Sequence, residues 1–251
     1  MYDSNLYTGK ERKIFQKMRV AVLSPMIYIE PDYVQSLADA VCYSWNFGLR
    51  VEKYAKTWRT VIQWARDDLA RTAIDKKSPF SDLPFTHFMW IDADQVFKPD
   101  LICQLARHDV DIASALYYHR RGAPKPVAFI RNEQDPTGLK HFTLTEIPPA
   151  LVEVDAVGFG SMLIKREVFE KMGDPWFTKP WECGEDIAFC IGAKKAGFKI
   201  YLDGQYTVGH VGEAPVIGPS TYRDWWEQNK SLTEAYRIPI ELKTRGGKDD
   251  E

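Results

Sequence analysis

Apolar and polar positions alternate in blocks along the chain, and the most decisive block is Phe88-Met89-Trp90-Ile91-Asp92-Ala93-Asp94-Gln95-Val96-Phe97. Its apolar run predicts a buried strand, and two carboxylates separated by one alanine stand where that strand leaves the sheet. Upstream, Arg19 to Ser24 reads as a first strand closed by Pro25, and Val34, Leu37, Ala38, Val41 and Trp45 fall at helical spacing after Pro31. Gly48 stops that helix. Leu49 to Tyr54 reads as a second strand, and Val61, Ile62, Ala65, Leu69 and Ala73 trace one face of a helix over 58–75, with Asp67 and Arg71 expected as a surface ion pair. Strand, helix, strand, helix, strand with right-handed crossovers predicts a parallel sheet whose third strand ends in the two acids. Residues 1–18 show no firm period and read as a leader or an edge element.

Downstream, a helix starts at Pro99, and Val110 to Tyr117 forms a further strand ending in the basic turn Tyr118-His119-Arg120-Arg121-Gly122. A hairpin is expected around Val127–Ile130 and His141–Thr145. The apolar stretches Val152–Val157 and Ser161–Ile164 are broken by Gly158 and Gly160, which fits either tight packing or close approach of backbone to a ligand. Arg166–Met172 is a short helix stopped by Gly173. An aromatic loop, Trp176 to Trp181, then runs into Glu185 and Asp186 at the start of a helix that ends in Lys194, Lys195 and Gly197. Strands near 199–202 and 205–211 follow, the second carrying His210, and 241–251 reads as a disordered tail. The pattern predicts one α/β domain over 19–240, with a Rossmann-like, mostly parallel central sheet flanked by helices. Residues 19–121 read as a nucleotide-binding half, and 122–240 as a smaller second region.

Composition narrows the function classes without choosing one. A net charge of −2 predicts no global attraction to nucleic acid, although a local basic groove would still bind phosphate. The four cysteines form no Cys-x-x-Cys pair, so a zinc site is not expected and reduced thiols are. With no signal-peptide order and no apolar run of membrane-spanning length, the expected location is the cytoplasm.

Three groups of residues carry candidate chemistry. Asp92 and Asp94 at a strand's carboxyl end are placed to hold a divalent cation against a phosphate, the alternative being a solvated loop. His210 between two glycines supplies a possible third ligand, the alternative being a structural histidine. Glu185 and Asp186 offset a helix dipole, or, flanked by Trp176, Phe177 and Trp181, lie beneath a sugar ring. Arg66 makes a surface ion pair or reaches a nucleotide's phosphates.

Taken in order, a strand ending in Pro, an Ala-Arg-Asp-Asp-Leu-Ala helix, an apolar strand ending in Asp-Ala-Asp, Gly-Phe-Gly-Ser-Met-Leu-Ile, Gly-Glu-Asp at a helix start and a late Gly-His-Val resemble glycosyltransferases of the GT-A fold, near the family 2 type. The resemblance spans about residues 19 to 212. It implies that Asp94 ligates Mn²⁺ or Mg²⁺ directly, that Asp92 contacts ribose or metal-bound water, and that His210 is the third ligand. It further implies Asp186 as the base that deprotonates the acceptor hydroxyl, Glu185 as an acceptor contact, and Ser24, Pro25, Met26 and Ala93 as the nucleotide-binding edge. Arg66-Asp67 departs from the Arg-Asn usual in the family, which bears on the nucleotide contact of that helix. The donor is expected to be a nucleoside-diphosphate sugar, UDP rather than GDP, transferred with inversion. Trp176, Trp181, His119 and Arg120 are expected to meet the acceptor: a glycan, a lipid-linked glycan, a protein hydroxyl or a hydroxymethylated DNA base. Short transferases of this build occur in phages and bacteria, which would make the cytoplasm a host's if the protein is phage-encoded. Two other readings remain open: a haloacid-dehalogenase-like phosphatase with Asp92 as nucleophile, and a nucleotide-sugar or glycan-binding module without turnover.

Overall fold

A computed structural model describes residues 6–26, 28–57, 61–177, 183–212 and 217–230. The first half runs α1 (Gly9–Lys17), β1 (Arg19–Pro25), α2 (Pro31–Asn46), β2 (Arg50–Thr57), α3 (Ile62–Asp75), β3 (His87–Ile91), β4 (Gln95–Val96), α4 (Leu101–Arg107) and β5 (Ile112–Leu116). There follow β6 (Ala128–Arg131), β7 (His141–Thr143), β8 (Leu151–Val154), β9 (Ala156–Val157), β10 (Ser161–Lys165) and α5 (Arg166–Met172). The last described elements are α6 (Glu185–Lys195), β11 (Ile200–Thr207), β12 (Gly209–His210) and α7 (Pro219–Gln228).

Seven strands build the central sheet in the order β2-β1-β3-β10-β5-β11-β8. The pairings run β2, β1, β3, β5 and β11 in one direction, with β10 and β8 opposed. The expected α/β class with a mostly parallel, helix-flanked sheet is therefore observed. Because β10 from the second half lies between β3 and β5, the two halves share one sheet.

β3 shows why its sequence is apolar without a break. Phe88 and Trp90 face one core, with α3, α5 and α6, while Met89 and Ile91 face the other, with α1, α2 and α4. Both faces of the strand are covered, so no position is left for a polar side chain until it leaves the sheet. The expected hairpin is β6 against β7, with Phe129 opposite Thr143, and β9 extends it to three strands.

Three expectations are corrected. Residues 9–17, read as part of a leader or edge, form α1, which Thr8 and Glu11 close with a reciprocal capping box and which buries Phe15. Its single large apolar anchor gave no period. In α2 the expected apolar face is turned partly outward: Val34 and Trp45 are 51% and 44% exposed, while Tyr33, Ser36, Ala40, Tyr43 and Ser44 are buried. The buried polar groups there are satisfied, Ser36 accepting from the Phe97 N–H at 3.2 Å and Tyr33 bonding Ser24 at 2.5 Å, so tyrosine and serine pack as core residues. Asp67 does not pair with Arg71 on the surface. Its Oδ1 accepts from the backbone N–H groups of Trp176 and Phe177, both at 3.2 Å, while Arg71 turns to Asp174 at 2.7 Å.

Candidate functional site

Asp92 and Asp94 lie in the turn between β3 and β4, where the chain leaves the buried sheet. β4 pairs antiparallel with β12, and that two-stranded ladder sets His210 opposite Gln95 while the Val211 N–H donates to the Asp94 carbonyl at 2.8 Å. The segment that carries His210 is thereby fastened to the acidic tip. His210 Nδ1 lies 2.8 Å from the Tyr118 carbonyl, to which it donates, which leaves Nε2 as the ring nitrogen facing the acidic tip. Nε2 stands 3.5 Å from Asp94 Oδ2. Tyr117 packs edge-on against the same ring, with centroids 5.7 Å apart.

Gly158 and Gly160 make room for this buttress. A Cβ on Gly158 would fall 1.9 Å from the Tyr117 hydroxyl oxygen, and the Gly160 N–H donates to that oxygen at 3.1 Å. Of the two readings left open for these glycines, tight packing is the one the structure bears out.

Arg66 joins the acidic tip to the start of α6. Its Nη2 donates to Asp92 Oδ1 at 3.2 Å, its Nε lies 3.4 Å from Glu185 Oε1, and its guanidinium sits 4.9 Å from the Phe159 ring centroid. Burial works against the charge of this arginine, but Asp92, Glu185 and Asp186 outweigh it and push its value above the ordinary one. Burial pushes Asp92 up, with Arg66 opposing. Asp94 moves the other way: burial works against its charge, and His210 and Arg120 overcome it, so its carboxyl is held below the usual range. Burial, reinforced by Glu185, raises Asp186 to about 6. His210 is held above the ordinary imidazole value because Asp94 outweighs its burial.

A cavity of about 460 Å³ opens over the tip. Asp92, Ala93 and Asp94 form its floor, Pro25, Met26 and Ile62 an apolar wall, and Arg120 with Arg121 a basic one. Tyr28 and Glu30 stand on its rim, Tyr28 being 83% exposed. The volume is that of a small-molecule site.

Among the described residues no three His, Cys, Asp or Glu side chains converge as a ready-made metal cage. The donors present nevertheless fit a cation shared with substrate oxygens. Asp94 Oδ1 is buried without a hydrogen-bond partner, Oδ2 faces His210, and hard cations of this kind are commonly held by one or two protein ligands plus phosphates.

No family model and no curated protein matches the chain. Among solved structures, A197 from STIV aligns at 19% identity and a TM-score of 0.56, over 81% of this chain and 92% of that one. The likeness is one of fold. A structure of GalNAc-T7 with UDP, GalNAc and Mn²⁺ aligns at 12% identity and a TM-score of 0.43, over 88% of this chain and 52% of that one. No helix among the described residues is long and apolar enough to cross a membrane.

The structure brings Asp92, Asp94, His210, Arg66, Glu185 and Asp186 into one neighbourhood, with Pro25, Met26 and Ala93 on its cavity. It separates others. Ser24 is fully buried and its hydroxyl is spent on Tyr33, so it supports the cavity from below. Arg66 is likewise beneath the acids, out of the cavity lining. Trp176, expected against an acceptor, is 7% exposed, donates its indole N–H to the Phe169 carbonyl at 2.8 Å, and belongs with Phe177 to the aromatic core under α6. Trp181 lies outside the described residues. His119 is exposed on the basic turn, and Arg120, also expected at the acceptor, lines the cavity over the acidic tip and pairs with Asp94. Sequence reasoning missed Tyr28, Glu30 and Tyr117. The first two follow directly on Ser24-Pro25-Met26, so a wider window there would have included them; Tyr117 was masked inside an apolar strand.

Proposed function

We propose that this protein is a metal-dependent glycosyltransferase that moves a sugar from a nucleoside-diphosphate sugar, UDP-linked by preference, to an acceptor hydroxyl with inversion. The observation that carries this reading is the β4–β12 ladder, which sets His210 3.5 Å from Asp94, a residue lining a cavity of nucleotide size. The mixed sheet with its acidic turn after β3 agrees with the GT-A resemblance.

Asp94 and His210 would hold the cation, Mn²⁺ or Mg²⁺, with Asp92 behind them. When bound, such an ion supplies Lewis-acid stabilisation of the charge that develops on a departing diphosphate. The remaining work falls to the chain's own side chains. The exposed Tyr28 ring offers flat apolar surface to a nucleobase, with Met26 at its side; Arg120 and Arg121 offer guanidinium forks to phosphate oxygens, and Asp186 takes the proton of the acceptor hydroxyl. A base whose carboxyl titrates at about 6 is ionised at neutral pH yet more basic than an ordinary aspartate. Arg66 keeps that carboxylate's neighbourhood from becoming a cluster of uncompensated negative charge.

A thermal-shift series with UDP-sugars, GDP-sugars and other nucleotides, with and without Mn²⁺, tests the reading. A ligand at 100 times its Kd adds roughly 2.7 kcal/mol of apparent stability. The expected result is a rise with a nucleotide-sugar that depends on Mn²⁺ and disappears in Asp94→Ala. Stabilisation by nucleotides that ignores both Mn²⁺ and Asp94 would contradict it.

A further inference from the structure

Asp94 is the carboxylate assigned to the cation, yet its Oδ2 is engaged by Arg120 from the turn after β5. Guanidinium and cation are therefore alternative partners of one oxygen. We propose that Arg120 gates the cation site: it occupies Asp94 in the ligand-free protein and transfers to the nucleotide's diphosphate when cation and nucleotide enter together. This inference rests on reading the cavity as a cation–diphosphate pocket.

The charges of the tip favour joint entry. Arg66 accompanies Asp92 at 3.2 Å and Arg120 accompanies Asp94, so both acids of the turn are already engaged by a guanidinium. A divalent ion arriving alone must displace Arg120 from Asp94 and leave that guanidinium beside it without an anion, whereas a diphosphate brings oxygens that both cations can share.

The two arginines differ in what they can do. Arg66 has a side chain 5% exposed, locked between Asp92, Glu185 and Phe159, and cannot leave without stranding buried charge. Arg120 is 42% exposed on a turn, so its departure costs little. It also has a destination, because Arg121 lines the same cavity and two forks can share the oxygens of one diphosphate. The consequence is strong positive coupling: each ligand alone must compete with or forgo Arg120, while the pair satisfies every partner.

Isothermal titration and Mn²⁺ electron paramagnetic resonance on the full chain, with Mn²⁺ and UDP as probes, measure that coupling directly. In Arg120→Ala, nucleotide-free Mn²⁺ affinity should tighten about tenfold, UDP affinity in the presence of Mn²⁺ should weaken about tenfold, and the coupling factor should fall about tenfold. Arg121→Ala should weaken UDP while leaving nucleotide-free Mn²⁺ affinity unchanged, and Arg120→Lys should retain part of the coupling. Circular dichroism and melting curves matching the wild type establish that the variants are folded. Unchanged or weaker nucleotide-free Mn²⁺ binding in a folded Arg120→Ala overturns the gate alone. Failure of the wild type to bind either probe overturns the pocket reading and the gate with it.

Discussion

Asp186→Asn should keep Mn²⁺ and nucleotide binding within about twofold of the wild type while lowering transfer by about 10²–10⁴-fold, the usual contribution of a positioned general base. The amide is the same size as the carboxylate and can still accept from the Ile187 N–H at 2.8 Å, so the start of α6 is preserved. In the wild type, kcat/KM should rise with pH and level off above about 6, because burial and Glu185 raise this carboxyl and transfer needs it ionised. The variant should lose that limb of the profile. The same shift acts on stability with the opposite sense. A carboxyl whose folded value lies above its unfolded one binds its proton more tightly when folded, so the stability it adds is present below about 4 and is lost as pH rises through about 6. Single-turnover rates across that range measure the first effect, and urea unfolding of wild type and variant the second. An Asn variant that transfers sugar at the wild-type rate would remove Asp186 from the mechanism.

Arg66→Met should be the costliest single change at the site. The guanidinium is almost fully buried, and it compensates Asp92 and Glu185 together at 3.2 and 3.4 Å. Methionine fills much of the volume but leaves those carboxylates facing one another, and breaking a buried charge pair from one side typically costs about 3–5 kcal/mol. Because both acids keep some contact with solvent, the lower end, about 3 kcal/mol, is expected from urea denaturation. Any residual transfer activity should have its pH profile displaced upward, since Asp186 loses a cation that favours its ionised form. A variant as stable as the wild type, with an unshifted profile, would mean that Arg66 is not the charge that holds the two acidic groups together.

Much of this arrangement was legible in the sequence, and the reason is local. The apolar run of β3 ending in Asp92-Ala93-Asp94, the helix dipole chemistry of α6 and the glycine stops of α2, α5 and α6 are all signals carried within a few residues. What was not legible depends on partners distant in the chain. Asp67 and Trp176 read as surface and acceptor groups because each looks polar or sugar-binding in isolation. Together they form an inner tie, the aspartate capping backbone N–H groups of the very loop that delivers the tryptophan into the core. Arg120 was expected at the acceptor because its basic turn at the sheet edge faces the cleft, and nothing local could say that Asp94 is its partner. α2 misled for a different reason: its buried face is built from tyrosines and serines whose hydroxyls are paired, and a hydrophobicity pattern counts those as polar. His210 was identifiable as a candidate from its Gly-His-Val setting, whereas its position depended on a two-residue strand too short to leave a periodic signal.

The account depends above all on one cation shared between Asp94, His210 and a diphosphate. Diffraction data collected at the manganese edge from crystals grown with Mn²⁺ and UDP would locate that ion without reference to activity. An anomalous peak within coordination distance of Asp94 and His210 Nε2, with diphosphate oxygens completing its shell, is the predicted result. Bound UDP with no manganese at those two side chains, or manganese held elsewhere on the protein, would contradict it.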